Sequence, residues 1–320
     1  MNQDPLVLVT GGAGFIGSHL VERLLADGKH VVVIDDFSTG SKANLQHLAA
    51  HPRLRLLASR VSRCEELPQL ASGAESIYHL AATVGVERVL ESPLRAIETN
   101  LRETEAVLQA AAASRTRVLV ASSSEVYGKS DKALLSEDDD LLIGPPTQPR
   151  WSYACSKLMD EFLALAFRRE QGLPAVIVRL FNTVGPRQSG RYGMVLPRFV
   201  AAARANQRLR VFGDGTQTRC FCDVGDVVEA LVRLQRVPEA SGEVVNVGST
   251  EEVSIHDLAL RVIEALGSTS SVEFVPYHLA YRGPFEDLRR RRPDVSKLAA
   301  LTGFKPKTSL RTVILRSAAG

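Results

Sequence analysis

Two short stretches hold the residue types that acid–base chemistry needs. Ser122, Ser123, Ser124, Glu125, Val126, Tyr127 and Gly128 follow directly on an apolar run, so their polar groups emerge at the carboxyl end of a strand. Further on, Tyr153, Ala154, Cys155, Ser156 and Lys157 form a Y-x-x-x-K pattern at the start of a helical segment. Positions i and i+4 share a helix face, which puts Tyr153 beside Lys157. A phenol has an ordinary pKa of about 10 and is a poor base at neutral pH. A cation four residues away lowers that value, and the phenolate can then take a proton from a substrate hydroxyl. Two structural readings stand beside these: a helix-surface Tyr–Lys pair, and a Glu125 carboxylate bonded only to loop N–H groups.

A glycine turn supplies a partner for that base. Gly11, Gly12, Ala13, Gly14, Phe15, Ile16 and Gly17 join the apolar run 6–10 to a helical pattern over 14–27. Gly11 permits the tight turn, Gly14 lets a diphosphate approach the backbone, and Gly17 allows close helix–sheet packing. The helix start offers free N–H groups and a positive partial charge to phosphates, with Phe15 and Ile16 in its first turn. Asp35 lies 18 residues after Gly17, at the end of the β-branched run 31–34. A carboxylate there accepts from ribose hydroxyls and repels a 2′-phosphate, which favours NAD over NADP. Asp36 is a second candidate, although an exposed strand-end Asp describes it better. Leu80, Ala81 and Ala82 end the fourth strand, and the alanines leave room for a flat cofactor. A positive nicotinamide would lower the Tyr153 pKa further and accept hydride from the substrate carbon.

These residues need a frame. Strands are expected at 6–10, 31–34, 54–58, 77–80, 118–121 and 175–180, with helices at 14–27, 93–113 and 153–170. Strands alternating with helices specify an α/β chain with a Rossmann-type doubly wound parallel sheet. After Asn182 the elements shorten: helices at 195–205, 224–236, 255–266 and 295–301, strands at 209–212, 243–247 and 273–275. This reads as a smaller C-terminal substrate-binding lobe. The division is a cofactor domain over 1–182 and a lobe over 183–320, interleaved because 224–247 is able to return to the main sheet.

Composition narrows the partners. The 320 residues carry 39 basic and 36 acidic side chains, a net charge of +3. That balance points away from nucleic acid and from anionic membranes. No stretch of 18 apolar residues is present to span a bilayer, and the first residues lack the basic start of a signal peptide. Four cysteines in a chain of this length fit reduced thiols in a cytoplasmic protein. Cys220 and Cys222 share a strand face without two further ligands nearby, so no metal is expected. Only the run Arg289, Arg290, Arg291, Arg292 concentrates charge. Four consecutive charges cannot all point inward; Arg291 is the candidate for the site, with Arg282 behind it.

Together the motifs T-G-G-A-G-F-I-G-S-H-L, S-S-S-E-V-Y-G, Y-A-C-S-K and R-L-F-N-T-V-G-P-R resemble the extended short-chain dehydrogenase/reductases, in particular the nucleotide-sugar epimerases, dehydratases and decarboxylases. The resemblance covers essentially the whole chain. It implies Tyr153 as base, Lys157 on the nicotinamide ribose and Ser123 on the substrate C4 hydroxyl. It also implies Asn182, Arg219 and Arg291 on a nucleotide diphosphate and Asp287 on the nucleotide ribose. NAD is the implied cofactor and a UDP-sugar the implied substrate. The implied assembly is a homodimer through the helices at 93–113 and 153–170.

The branch within this family turns on few residues. The dehydratase pattern T-D-E-V-Y-G carries an Asp where this chain has Ser124, which removes the proton donor for leaving water. The decarboxylase pattern T-S-E-V-Y-G matches Ser123, Ser124 and Glu125, and segments 144–153 and 287–293 are similar as well. Arg187, in G-P-R, matches an arginine that meets the C6 carboxylate in UDP-glucuronate epimerases. The expectation is a 4-epimerase of UDP-glucuronate or UDP-glucose acting through a 4-ketone, with UDP-glucuronate decarboxylase as the alternative. A non-catalytic NAD-binding regulator is the third reading. Such members typically lose the Tyr or the Lys, and this chain keeps Ser123, Tyr153 and Lys157.

Overall fold

The first strand, β1 (Leu6–Thr10), shows why its run is apolar without interruption. Successive side chains of a strand point to opposite faces, and here both faces are covered. Val7 and Val9 enter one buried cluster while Leu8 enters another, and all three are at most 1% exposed. The structure, a computed structural model, describes residues 6–83, 92–190, 194–280 and 289–319. Two expected site residues, Arg282 and Asp287, lie outside the described residues.

The cofactor half runs β1, α1 (Phe15–Ala26), β2 (His30–Ile34), β3 (Leu54–Leu57), α2 (Leu67–Gly73), β4 (Ala74–His79), α3 (Pro93–Ser114), β5 (Arg117–Ser123), α4 (Trp151–Gln171) and β6 (Ala175–Leu180). The remainder runs β7 (Thr183–Val184), α5 (Val195–Arg204), β8 (Leu209–Phe212), β9 (Thr218–Cys220), β10 (Cys222–Asp223), α6 (Val224–Arg236) and β11 (Val244–Val247). It ends with β12 (Glu252–Ser254), α7 (Ile255–Leu266), β13 (Val272–Val275), α8 (Tyr277–Ala280), β14 (Arg290–Arg291), α9 (Ser296–Thr302) and α10 (Leu310–Ala319).

Seven parallel strands make the central sheet in the order β11-β6-β5-β4-β1-β2-β3. The order reverses at β1, between β4 and β2, and such a switch point opens a crevice at the strand ends. One face is covered by α1 and α6, through Leu20, Leu24, Val227 and Leu231. The other is covered by α2, α3 and α4, through Leu70, Val107, Leu108 and Ala164. Each such side chain, fully buried, stabilises the fold by about 1.5–3 kcal/mol. The segment 224–247 supplies both a covering helix and the edge strand of this sheet. A third cluster joins α5, α7 and α10 to β8 through Phe199, Leu258, Val211 and Val313, and forms the lobe. Short pairs tie the second half together: β10 with β7, and β9 between β12 and β14. Among the described residues, no helix is long and apolar enough to cross a membrane.

Candidate active site

All the expected site residues that the structure describes line one cavity of about 900 Å³ at the carboxyl edge of the sheet. Gly11 forms the floor of its cofactor end. Its φ of +72° suits glycine, and a Cβ there would lie 2.7 Å from the Ala81 nitrogen. Gly14 caps α1 in an extended conformation and brings no capping side chain to the first-turn N–H groups. The N–H groups of that turn are therefore available to a diphosphate.

Asp35 is buried at the end of β2. Its carboxylate accepts from Ala13 N at 2.9 Å and Phe37 N at 2.8 Å. Burial raises its pKa, and these two N–H groups oppose the rise. Each carboxylate oxygen keeps a further lone pair for a ribose hydroxyl. Asp36 turns outward, accepts from Ser38 N and lies 3.4 Å from Arg60 Nε. Glycine turn, open helix start and buried Asp35 fit NAD, which supplies a hydride acceptor when bound.

Tyr153 and Lys157 project from α4 into the cavity, and Ser123 ends β5 opposite them. The Ser123 hydroxyl lies within hydrogen-bonding reach of the Tyr153 phenol and also accepts from Glu125 N at 3.2 Å. The electrostatics correct one expectation. Lys157 does pull the phenol pKa down, but burial outweighs it and Glu125 adds to the rise, so the phenol stands above its ordinary value. A positive nicotinamide ring bound beside the phenol would oppose that rise.

Glu125 is where the structure adds most. Burial alone would raise its pKa, yet Arg291 and Arg150 outweigh burial and hold it low. Arg291 NH1 donates to Oε1 at 2.5 Å and to Ser124 Oγ at 3.4 Å; Arg150 NH2 donates to Oε2 at 3.5 Å. An ionised carboxylate thus sits between two guanidiniums beside Tyr153. Arg150 escaped the sequence reading. Its signal was available: it stands three residues before Tyr153, on the same helix face.

Arg187, expected against a substrate carboxylate, lines the cavity with its guanidinium held by Glu22 of α1. NH2 donates to Glu22 Oε2 at 2.7 Å, and NH1 donates to Glu22 Oε1 at 3.0 Å and to Asn44 O at 3.1 Å. Its backbone φ is +67°, in the left-handed region. Asn182 Nδ2 donates to Cys220 O at 3.0 Å, which ties the segment after β6 to the lobe. Arg219 is buried on β9, with NH1 donating to Thr218 O at 2.7 Å. At the lobe end Gln217 Nε2 donates to Phe212 O and to the Tyr277 hydroxyl. Those last three residues line the cavity and carried no sequence signal of their own.

Comparison with known proteins agrees with this geometry. The profile of the NAD dependent epimerase/dehydratase family matches residues 7–248. UDP-N-acetyl-alpha-D-glucosaminuronate decarboxylase of Bacillus cytotoxicus is 40% identical, over 94% of this chain and 93% of that protein. UDP-glucuronic acid decarboxylase 1 of Danio rerio is 34% identical, over 95% of this chain and 69% of that protein. Among solved structures, UDP-glucuronic acid 4-epimerase from Bacillus cereus, in complex with UDP-glucuronic acid and NAD, superposes with a TM-score of 0.87. That match has 30% identity and covers 98% of each chain. With a profile spanning most of its length and relatives matched nearly end to end, the chain belongs to the NAD dependent epimerase/dehydratase family.

Proposed function

We propose that this protein is an NAD-dependent decarboxylase of a UDP-hexuronate, UDP-glucuronate or its 2-acetamido counterpart. The observation that carries the reading is how three arginines of the cavity are engaged. Arg187 is held by Glu22, while Arg150 and Arg291 are held by Glu125. None of the three stands as an open bidentate clamp for the C6 carboxylate. A carboxylate held in strong paired hydrogen bonds keeps its charge and resists loss of CO₂, whereas a poorly paired one is poised to leave.

The chemistry follows from the positions. Tyr153 takes the C4 hydroxyl proton as C4 becomes a ketone, with Ser123 oriented on the same oxygen. The 4-ketone is β to the C6 carboxylate. Breaking the C5–C6 bond releases CO₂ and passes its electron pair into the ketone as an enolate. C5 then takes one proton; with NAD bound as acceptor of the C4 hydride, that hydride would return to C4 as Tyr153 gives its proton back, leaving a product lighter by CO₂ alone. Two guanidiniums and one carboxylate leave a net charge of +1 beside the reacting carbons, which favours the enolate. Ser124 stands where a dehydratase has its Asp, so water elimination lacks its donor.

The relatives named as decarboxylases support this branch over the 4-epimerase expected first. Epimerisation of UDP-glucuronate or UDP-glucose is the second reading, favoured by the likeness to the Bacillus cereus 4-epimerase. Release of labelled CO₂ from UDP-glucuronate labelled at C6, in step with substrate loss, is the expected result. A C4-inverted product with no CO₂ released would overturn it. Failure to reduce bound NAD with any UDP-sugar would favour the non-catalytic reading.

A homodimer through α3 and α4 is part of the same proposal. Cys155, Met159 and Phe162 form one exposed face of α4, with Met159 47% and Phe162 59% exposed. Exposed apolar residues at helical spacing suit a face covered by a second copy.

A further inference from the structure

Asp160 lies one helical turn beyond Lys157, and the chemistry above leaves it without a role. Its side chain is 0% exposed and that of Lys157 is 3% exposed. Removing a carboxylate from water costs several kcal/mol unless a well-placed partner offsets it. Lys157 Nζ donates to Asp160 Oδ2 at 2.9 Å. The second oxygen, Oδ1, is buried without a full hydrogen bond among the described residues, and the Thr104 hydroxyl stands close to the same carboxylate.

From Thr104 a line of bonds returns to the cofactor end of the cavity. His79 Nε2 lies 3.0 Å from Thr104 Oγ1, and His79 Nδ1 lies 2.7 Å from Thr10 Oγ1. Thr10 Oγ1 accepts from Ala81 N at 3.4 Å. One assignment satisfies every group on the line: Thr10 Oγ1 accepts from the Ala81 N–H and gives its own hydrogen to His79 Nδ1. A neutral imidazole then donates from Nε2 to Thr104, whose hydrogen is left for Asp160. Burial keeps His79 neutral, its pKa pushed down to about 3 with Lys157 adding to the effect. From the other side, an ammonium can only donate. In that assignment both lines end on Asp160 as the acceptor; burial raises its pKa, and Lys157 and Thr104 oppose the rise.

We propose that Asp160 is a positioning residue, anchoring the Lys157 ammonium beside Tyr153 and partly cancelling its pull on the Tyr153 proton. This rests on Tyr153 being the base. The ionisable groups around the pair are Tyr153 and Glu161 on α4, His79 on β4 and Glu125 in the turn after β5, with Arg179 of β6 bound to Glu161 at 2.8 Å. Lys157 lowers the Tyr153 pKa, while Glu125 and Asp160 raise it. Burial alone would lower the Lys157 pKa, but Asp160, Tyr153 and Glu161 together hold it up.

The test is Asp160→Asn in the full-length protein, with and without NAD. The Tyr153 phenol is titrated by phenolate absorbance, as the difference from the same protein carrying Tyr153→Phe. The expected result is a phenol pKa lower than wild type by about one unit, the size of one nearby charge. The acid limb of C4 oxidation should move the same way, with KM for the UDP-sugar within about twofold of wild type, and Asp160→Glu should restore both. An unmoved or raised phenol pKa in a folded, NAD-binding Asp160→Asn protein overturns the proposal. Should that variant fail to fold, Asp160→Ser, which removes the same charge from a smaller side chain, is read identically. A protein that oxidises no UDP-sugar would sink the functional reading while leaving the phenol titration to decide this one.

Discussion

Glu125→Gln is the substitution that probes the candidate site most deeply. It keeps shape and hydrogen-bonding capacity while leaving Arg150 and Arg291 facing one another without their carboxylate. Removing one partner of a buried pair costs about 3–5 kcal/mol. Glu125 is 18% and Arg291 11% exposed, so the lower end, about 3 kcal/mol, applies. An unfolding entropy of roughly 2.1 cal/mol/K per residue gives about 0.7 kcal/mol/K for this chain, hence a Tm lower by about 4 °C at neutral pH. The pH dependence has a definite sign. The folded-state pKa of Glu125 is depressed, so its contribution is complete above the ordinary carboxylate range and is lost as pH falls through the folded value. The Tm gap between wild type and variant should therefore close as pH falls below about 4. Catalysis separates the two roles of Glu125. Removing a charge that raises the Tyr153 pKa moves the acid limb of C4 oxidation to lower pH. Freed from Glu125, Arg150 and Arg291 can pair with the C6 carboxylate and hold its charge, so CO₂ release should slow by more than about tenfold while reduced cofactor still accumulates. Calorimetry over pH, absorbance of reduced cofactor and trapped CO₂ read these three effects. CO₂ release within a factor of ten of wild type, with an unmoved pH profile, would make Glu125 a structural carboxylate alone.

Tyr153→Phe should bind NAD and UDP-sugar nearly as wild type while turnover falls by at least about 10²–10⁴-fold; activity within a factor of ten would assign the proton to another group. NAD should co-purify and NADP should bind weakly because of Asp35, and Asp35→Asn should narrow the gap; equal affinities in wild type would remove that assignment. Phe162→Glu, which puts a charge on the exposed face of α4, should convert a dimer to a monomer in light scattering; a wild-type monomer at micromolar concentration would end the dimer proposal. Arg187→Ala should loosen the loop at Asn44 and weaken NAD binding more than it weakens UDP-glucuronate binding; the reverse order would restore Arg187 as the carboxylate clamp.

Much of this is legible in the sequence. The run 6–10, the glycine turn and Asp35 are local features, each fixed by backbone needs that only certain residues meet. Tyr153, Lys157 and Ser123 were recoverable because helix period and strand direction set where they point. Three kinds of feature were not. Arg187 reads as a substrate contact by motif, yet its partner Glu22 lies far away on α1, and no local pattern announces that pairing. The net sign of the Tyr153 shift depends on burial against charge, a balance that sequence spacing does not weigh. Helix α10 went unread, although Leu310, Val313 and Ile314 have helical spacing, because its value lies in covering α5 and α7 from the far end of the chain. Asp160 was within reach of the same i, i+3 reasoning that placed Tyr153 and Lys157 together.

The central claim is that the 4-ketone loses CO₂ rather than turning over. A mass spectrum of the product formed from UDP-glucuronate, and from its 2-acetamido counterpart, in deuterated water tests it directly. Decarboxylation predicts a product lighter by one CO₂ that carries one solvent deuterium at C5. A product of unchanged mass, inverted at C4 and free of deuterium on carbon, would contradict the account.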